Sequence, residues 1–285
     1  MFVVRGDRWH HAPPTSLVEG RRKEHPISIE SPVILVHGAW QTAATWDRVV
    51  PQLRTAGCRV FAVELTGLEG ELSPLTPDIT LDTHIEDVVR VMESEDLRDA
   101  TLVGHSYAGM IITGVAERAH ERIARLTYVD AFVPAHTQSA MQLLPDTIQA
   151  MFRELARAEG DGWRLNGSER QLDLWGVNDP AAREFVRSRL CDFSIRCFEQ
   201  PVSCPSDRAA SIDRSYIACV AQDYPSRRVF ERFAEKAKHE HWRYHELPTG
   251  HACHVEMPDA FSKLLMTPIS PSIERRSPTN VPRRR

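Results

Sequence analysis

The chain has 285 residues, of which 42% are hydrophobic and 26% charged, an ordinary globular composition that excludes a wholly disordered protein. Lys and Arg number 35 against 39 Asp and Glu, so the net charge of -4 leaves no electrostatic footprint for nucleic acid. The longest apolar runs, such as Val33 to Val36, fall far short of the ~20 residues a membrane helix needs, so no membrane partner is expected either. Arg5, Asp7 and Arg8 interrupt the first residues before a signal-peptide apolar region can form, which leads to the expectation of a cytoplasmic protein.

Residues 1–31 are rich in Arg, His, Glu and Pro and read as a flexible extension. Val33-Ile34-Leu35-Val36-His37 is a continuous apolar run, as expected of a strand covered on both faces. Thr42 is then expected to cap a helix running to about Arg54. A second strand spans Val60 to Leu65, and Thr80 caps a helix with Ile85, Val88, Val89 and Met92 at helical spacing. Thr101-Leu102-Val103 is a third strand ended by Gly104, and a helix follows from about Ala108 to Glu121. Leu126 to Asp130 and Tyr216 to Val220 are the fourth and fifth strands. A helix over Ser226 to Lys238, a sixth strand over Trp242 to Leu247 and a last helix over Met257 to Leu265 complete the pattern.

Strand–helix alternation of this kind predicts an α/β fold, with a mostly parallel central sheet and helices on both faces. The alternation breaks between Pro134 and Ile212, where Leu143, Met151, Phe152, Trp163, Trp175 and Phe193 mark a mostly helical insertion. The expected organisation is a core of 32–133 and 213–266, a helical cap over 134–212, and a disordered basic tail over 267–285. The six cysteines include no C-x-x-C pair and read as free thiols. His10-His11 and His239-x-His241 lack partners at metal-ligand spacing, so no metal is expected.

The chemistry centres on Gly104-His105-Ser106-Tyr107-Ala108-Gly109, which lies directly between a strand and a helix. A serine there stands on a sharp turn that tolerates only small neighbours, and Gly104 and Ala108 supply them. The G-x-S-x-G form has Gly where this chain has Ala108, with Gly109 next. An oxyanion needs donors already in place, and backbone N–H groups are the usual ones. The candidates are Tyr107, just after the serine, and Ala39 in His37-Gly38-Ala39-Trp40, the loop after the first strand. Ser106 requires a base, and a base requires an orienting carboxylate. His251 follows the sixth strand and is the expected base, with His254 as second choice. Asp223, three residues past Val220 and 28 before His251, is the expected acid. Asp130, at the end of the fourth strand, is the alternative acid, or else a carboxylate that ties down the start of the cap.

The segments Val33 to Trp40, Leu65 to Leu68, Ile79 to Ile85, Leu102 to Met110, Tyr128 to Pro134 and Thr249-Gly250-His251 resemble the α/β-hydrolase superfamily. Within it, they are most similar to the branch of plant methyl esterases, hydroxynitrile lyases and small bacterial esterases such as pyrethroid and carbendazim hydrolases. The order Ser106, Asp223, His251 is that of the family's triad. The resemblance covers residues 32 to 266 and implies cofactor-free hydrolysis of carboxyl esters or related carbamates and amides; a small-molecule ester substrate and a monomer or homodimer are expected. Hydroxynitrile lyases of this branch carry a lysine just after the histidine, and Ala252 stands there instead. The cap's Leu, Met, Phe and Trp content points to an apolar or aromatic substrate, or to the cap's own core. Two rivals stay open: an amidase or carbamate hydrolase with the same machinery, and a hydrolase fold used as a small-molecule receptor.

Overall fold

In the computed structural model, residues 31–68, 74–204, 206 and 208–267 are described. The flexible extension expected over 1–31 and the basic tail over 267–285 lie, but for residues 31 and 267, outside the described residues. Along the chain come β1 (Val33–Val36), α1 (Val50–Thr55), β2 (Val60–Val63), α2 (Leu81–Ser94), β3 (Ala100–His105), α3 (Ala108–Arg118) and β4 (Ile123–Val129). Next are α4 (Asp146–Glu159), β5 (Arg164–Leu165), α5 (Glu169–Leu174), α6 (Pro180–Arg187), β6 (Phe193–Ser194) and α7 (Ile195–Glu199). The chain closes with β7 (Asp213–Cys219), α8 (Arg227–His239), β8 (Arg243–Leu247), α9 (Cys253–Glu256) and α10 (Pro258–Met266).

Six strands form one parallel sheet in the order β2-β1-β3-β4-β7-β8. Every residue of β1 and β3 is buried, whereas the edge strands β2 and β8 have partly exposed residues. The gradient explains the sequence: strands covered on both faces must be mostly apolar, and edge strands need not be. From β1 the chain leaves toward β2 on one side, then returns through α2 to β3 on the other side. Adjacent strands whose connections diverge in this way leave a crevice at their carboxyl ends, where ligands bind in open α/β sheets. The loops after β1 and β3 are those carrying Ala39 and Ser106.

α2 starts where the sequence places it. The Thr80 N–H donates to Thr83 Oγ1 at 3.2 Å, and Leu81, Ile85, Val88 and Met92 face the core. Thr42 does not cap the helix expected after β1. A 3₁₀ turn occupies Ala43–Trp46, no side-chain cap bond forms, and α1 begins only at Val50. Pro51 explains the break, since it lacks an N–H and sits readily only in a helix's first turn. Between β4 and β7 lie α4 to α7, with β5 and β6 paired as a short antiparallel ribbon that the sequence reading did not anticipate. All six cysteines are free thiols, and among the described residues no helix is long and apolar enough to cross a membrane.

His84, His105 and His254 are fully enclosed in this core. Burial pushes His84 and His254 down to about 3 and holds His105 well below the usual imidazole value. These histidines fold neutral, and unfolding frees them to bind protons at their ordinary pKa of about 6.5. Their contribution is therefore complete above about pH 6.5 and is lost as the pH falls from there toward 3. Thermal melts should show Tm falling steadily from pH 7 to pH 4, and His254→Asn should flatten that slope. A Tm independent of pH over this interval would contradict the assignment.

Candidate active site

Ser106 ends β3 with φ of +58°, a left-handed conformation that costs free energy for a non-glycine residue. Its neighbours hold it there: the Ser106 N–H donates to Val129 O at 3.1 Å, and the Ser106 carbonyl accepts from Phe132 N at 3.2 Å. The tightness of this junction explains Gly109, where a Cβ would stand 2.0 Å from the Phe132 carbonyl oxygen. Gly38 lies against the serine, since a Cβ there would be 3.0 Å from Ser106 Cβ. The Ala39 and Tyr107 residues are buried, and neither amide nitrogen has an acceptor among the described residues. Buried N–H groups are rarely left without a partner, so this pair beside a serine calls for an acceptor from a ligand.

His251 is 1% exposed and held on every side. Its N–H donates to Trp175 O at 2.7 Å, and His105 Nε2 lies 2.9 Å from its carbonyl oxygen. Its ring packs against Phe230, stacked at 4.7 Å, and against His105, tilted at 4.5 Å. The close approach of the cap explains Gly250, where a Cβ would meet Trp175 O at 2.4 Å. His251 Nδ1 lies 2.6 Å from Asp130 Oδ2. Asp130, with φ of +42°, stands at the end of β4, and short polar residues tolerate that backbone best. Its N–H donates to Ile217 O at 2.8 Å. Its Oδ1 accepts from Cys219 N at 3.3 Å and its Oδ2 from the Tyr224 hydroxyl at 2.7 Å.

The carboxylate facing His251 is thus Asp130 and not the expected Asp223. Asp223 is exposed, and its side chain makes no hydrogen bond or ion pair among the described residues. The loop after β7 does reach His251, but it turns the next residue inward. Tyr224 is 3% exposed, with its hydroxyl 2.8 Å from His251 Nδ1. Neighbouring residues in a turn point in different directions, and spacing alone does not reveal which faces the site. His254, the second-choice base, is engaged elsewhere. Its Nε2 lies 2.9 Å from Thr45 Oγ1, and its ring packs 4.6 Å from Trp46.

Trp40, which the sequence reading gave no role, and the cap's Trp175 form the wall next to these groups. Trp40 follows Ala39, packs on Phe152, Phe193 and Phe198, and donates from Nε1 to Leu165 O at 3.1 Å. The Trp175 ring stands 5.9 Å from the imidazole of His251. Beyond both lies a cavity of about 230 Å³, whose other apolar walls are Met151, Phe152, Leu155, Leu165 and Leu174. Its size is below the ~300 Å³ at which pockets for drug-sized ligands begin.

Comparison with known proteins agrees with this fold. Residues 33–264 match the model of the alpha/beta hydrolase family. The chain is 33% identical over 241 residues to a carbendazim hydrolyzing esterase of Nocardioides sp. (strain SG-4G), covering 81% of this chain and 97% of that one. Methylesterase 2 of Arabidopsis thaliana is 24% identical over 266 residues, 85% of this chain and 90% of its own. Among solved structures, an extracellular alpha/beta-hydrolase from a Paenibacillus species superposes with a TM-score of 0.71 at 22% identity, covering 82% of this chain and 97% of that one. A pyrethroid hydrolase from Sphingobium faniae JZ-2 gives a TM-score of 0.64 at 23% identity, covering 82% and 95%. With its sheet order, its serine turn and a family match spanning most of its length, the chain belongs to the α/β-hydrolase family.

Proposed function

We propose that this carboxylic ester hydrolase works through an acyl-enzyme on Ser106, with His251 as base and Asp130 as its orienting carboxylate. The observation that carries the reading is the 2.6 Å contact between His251 Nδ1 and Asp130 Oδ2. It commits Nδ1 to the carboxylate and leaves the Nε2 lone pair for the serine proton. Ser106 Oγ attacks the ester carbonyl as its proton passes to Nε2. The developing oxyanion takes the free N–H groups of Ala39 and Tyr107. His251 then protonates the leaving alcohol, and water activated by the same nitrogen releases the acid.

The cavity behind Trp40 and Trp175 suits a small apolar or aromatic group of the ester. The relatives named carbendazim hydrolyzing esterase and methylesterase support ester cleavage as the reaction. The same machinery serves carbamates and amides, so a panel of aryl esters, alkyl esters, carbamates and anilides decides the preferred bond. Six free thiols support a cytoplasmic site of action, where thiols stay reduced.

Ser106→Ala should lower kcat by about 10⁶ with the fold intact, and an organophosphonate should label Ser106 alone in the wild type. Labelling at another residue would refute the nucleophile. Asp130→Asn should cost about 10⁴ in kcat, whereas Asp223→Asn should leave rate and Tm within error of wild type. The reverse pattern would return the acid to Asp223. Leu155→Trp, which fills the cavity, should raise KM for aryl esters by about tenfold while acetate esters of small alcohols keep theirs. An unchanged aryl-ester KM would move the substrate elsewhere.

A further inference from the structure

The mechanism above has no task for Tyr224, yet its hydroxyl touches both members of the His–Asp pair. Oη lies 2.7 Å from Asp130 Oδ2 and 2.8 Å from His251 Nδ1, and these two atoms are 2.6 Å apart. Three polar atoms therefore form a closed triangle with two protons to share, one from the phenol and one from the imidazole. If the hydroxyl donated to Nδ1, the lone pair of the carboxylate would face an unprotonated nitrogen at 2.6 Å, a repulsive contact. The arrangement without repulsion has Oη–H donating to Oδ2 and Nδ1–H pointing between Oδ2 and a lone pair of Oη. Burial and the charge of Asp130 push the phenol pKa well above its ordinary value, which keeps that proton in place. The loop carrying Tyr224 is fixed at both ends, by Ala221 N to Thr249 O at 3.0 Å and Ser226 N to Leu174 O at 3.1 Å. The phenol ring also lies nearly parallel to the imidazole, with centroids 5.7 Å apart and planes at 25°.

We propose that Tyr224 is a positioning residue, whose hydroxyl fixes the Asp130 carboxylate and locks His251 in the tautomer with its lone pair on Nε2. When Ser106 transfers its proton to Nε2, the imidazolium keeps Nδ1–H shared between Oδ2 and Oη, and the tyrosine keeps its own proton throughout. The inference rests on the Ser106–His251–Asp130 reading and adds a fourth group to it.

The test is a double-mutant cycle of Tyr224→Phe and Asp130→Asn in the full chain, with kcat and KM measured on one aryl ester. A hydrogen bond to a charged pair predicts that Tyr224→Phe lowers kcat by about 10- to 100-fold while KM stays within about twofold. In the Asp130→Asn background, the same change should cost less than about threefold, because the pair it acts through is already broken. In the wild type, low-field proton NMR should show the Tyr224 Oη–H and His251 Nδ1–H resonances joined by a nuclear Overhauser effect, a reading that needs no variant to fold. A kcat for Tyr224→Phe within twofold of wild type, an equal loss in both backgrounds, or the absence of that cross-peak would each overturn the proposal. An Asp130→Asn enzyme of wild-type activity would overturn the underlying triad reading instead, and the proposal with it.

Discussion

Much of the molecule's local detail follows from one buried carboxylate. Asp130 is 2% exposed, and a charge taken that far from water is tolerated only where hydrogen-bond donors replace the lost hydration. Three do so: the Cys219 amide, the Tyr224 hydroxyl and the imidazole Nδ1 of His251. Each comes from a different part of the chain, namely the end of β7, the loop beyond it and the loop after β8. Satisfying Asp130 therefore draws three separate carboxyl-edge elements onto one point. Tyr216 secures the turn from the other side, its hydroxyl paired with both the carbonyl and the N–H of Ala131 at 3.1 Å.

The serine and its candidate oxyanion donors depend on a different constraint, the reversal of strand order between β1 and β3. Connections that leave in opposite directions open a gap above the sheet at that point. The Gly38–Ala39 loop and the Ser106 turn face each other across it. Gln41 and His105 lie beside the gap: Gly38 N donates to Gln41 Oε1 at 3.3 Å, and neutral His105, with its single N–H on Nε2, donates to the His251 carbonyl oxygen at 2.9 Å. Buried hydrogen bonds of this sort fix the positions of the groups that make them, since displacing one leaves its partner unpaired.

The insertion between β4 and β7 is more than a cover. Trp175 O holds the His251 amide and Leu174 O holds the amide of Ser226, so one turn after α5 braces both the histidine loop and the tyrosine loop. Trp40 reaches the other way, donating to Leu165 O while its carbonyl accepts from Cys191 N at 3.0 Å. Sheet and insertion are thereby joined beside the reacting groups. The same residues that hold the base in place border the cavity in which a substrate group would sit.

The sequence alone was enough for the parallel sheet and for placing the Ser106 turn and the His251 loop at the carboxyl ends of its strands, because each is written in local pattern. Continuous apolar runs announce buried strands, and small residues beside a serine between a strand and a helix announce a sharp strand-to-helix turn. The carboxylate was not legible. Asp130 and Asp223 both follow strands of the same sheet edge, and the choice between them turns on which side chain of Asp223-Tyr224 rotates inward. That rotation goes with the close approach of Gly176, where a Cβ would stand 3.1 Å from Tyr224 Cα, and with the contacts of the Tyr224 hydroxyl to Asp130 and His251, all made by segments distant in sequence. The β5–β6 ribbon was hidden for the same reason, since two-residue strands carry no periodicity and exist only through their partner. Tyr224 had no signal of its own, because a tyrosine in a turn becomes a hydrogen-bond partner only when tertiary structure brings a charged pair to its hydroxyl.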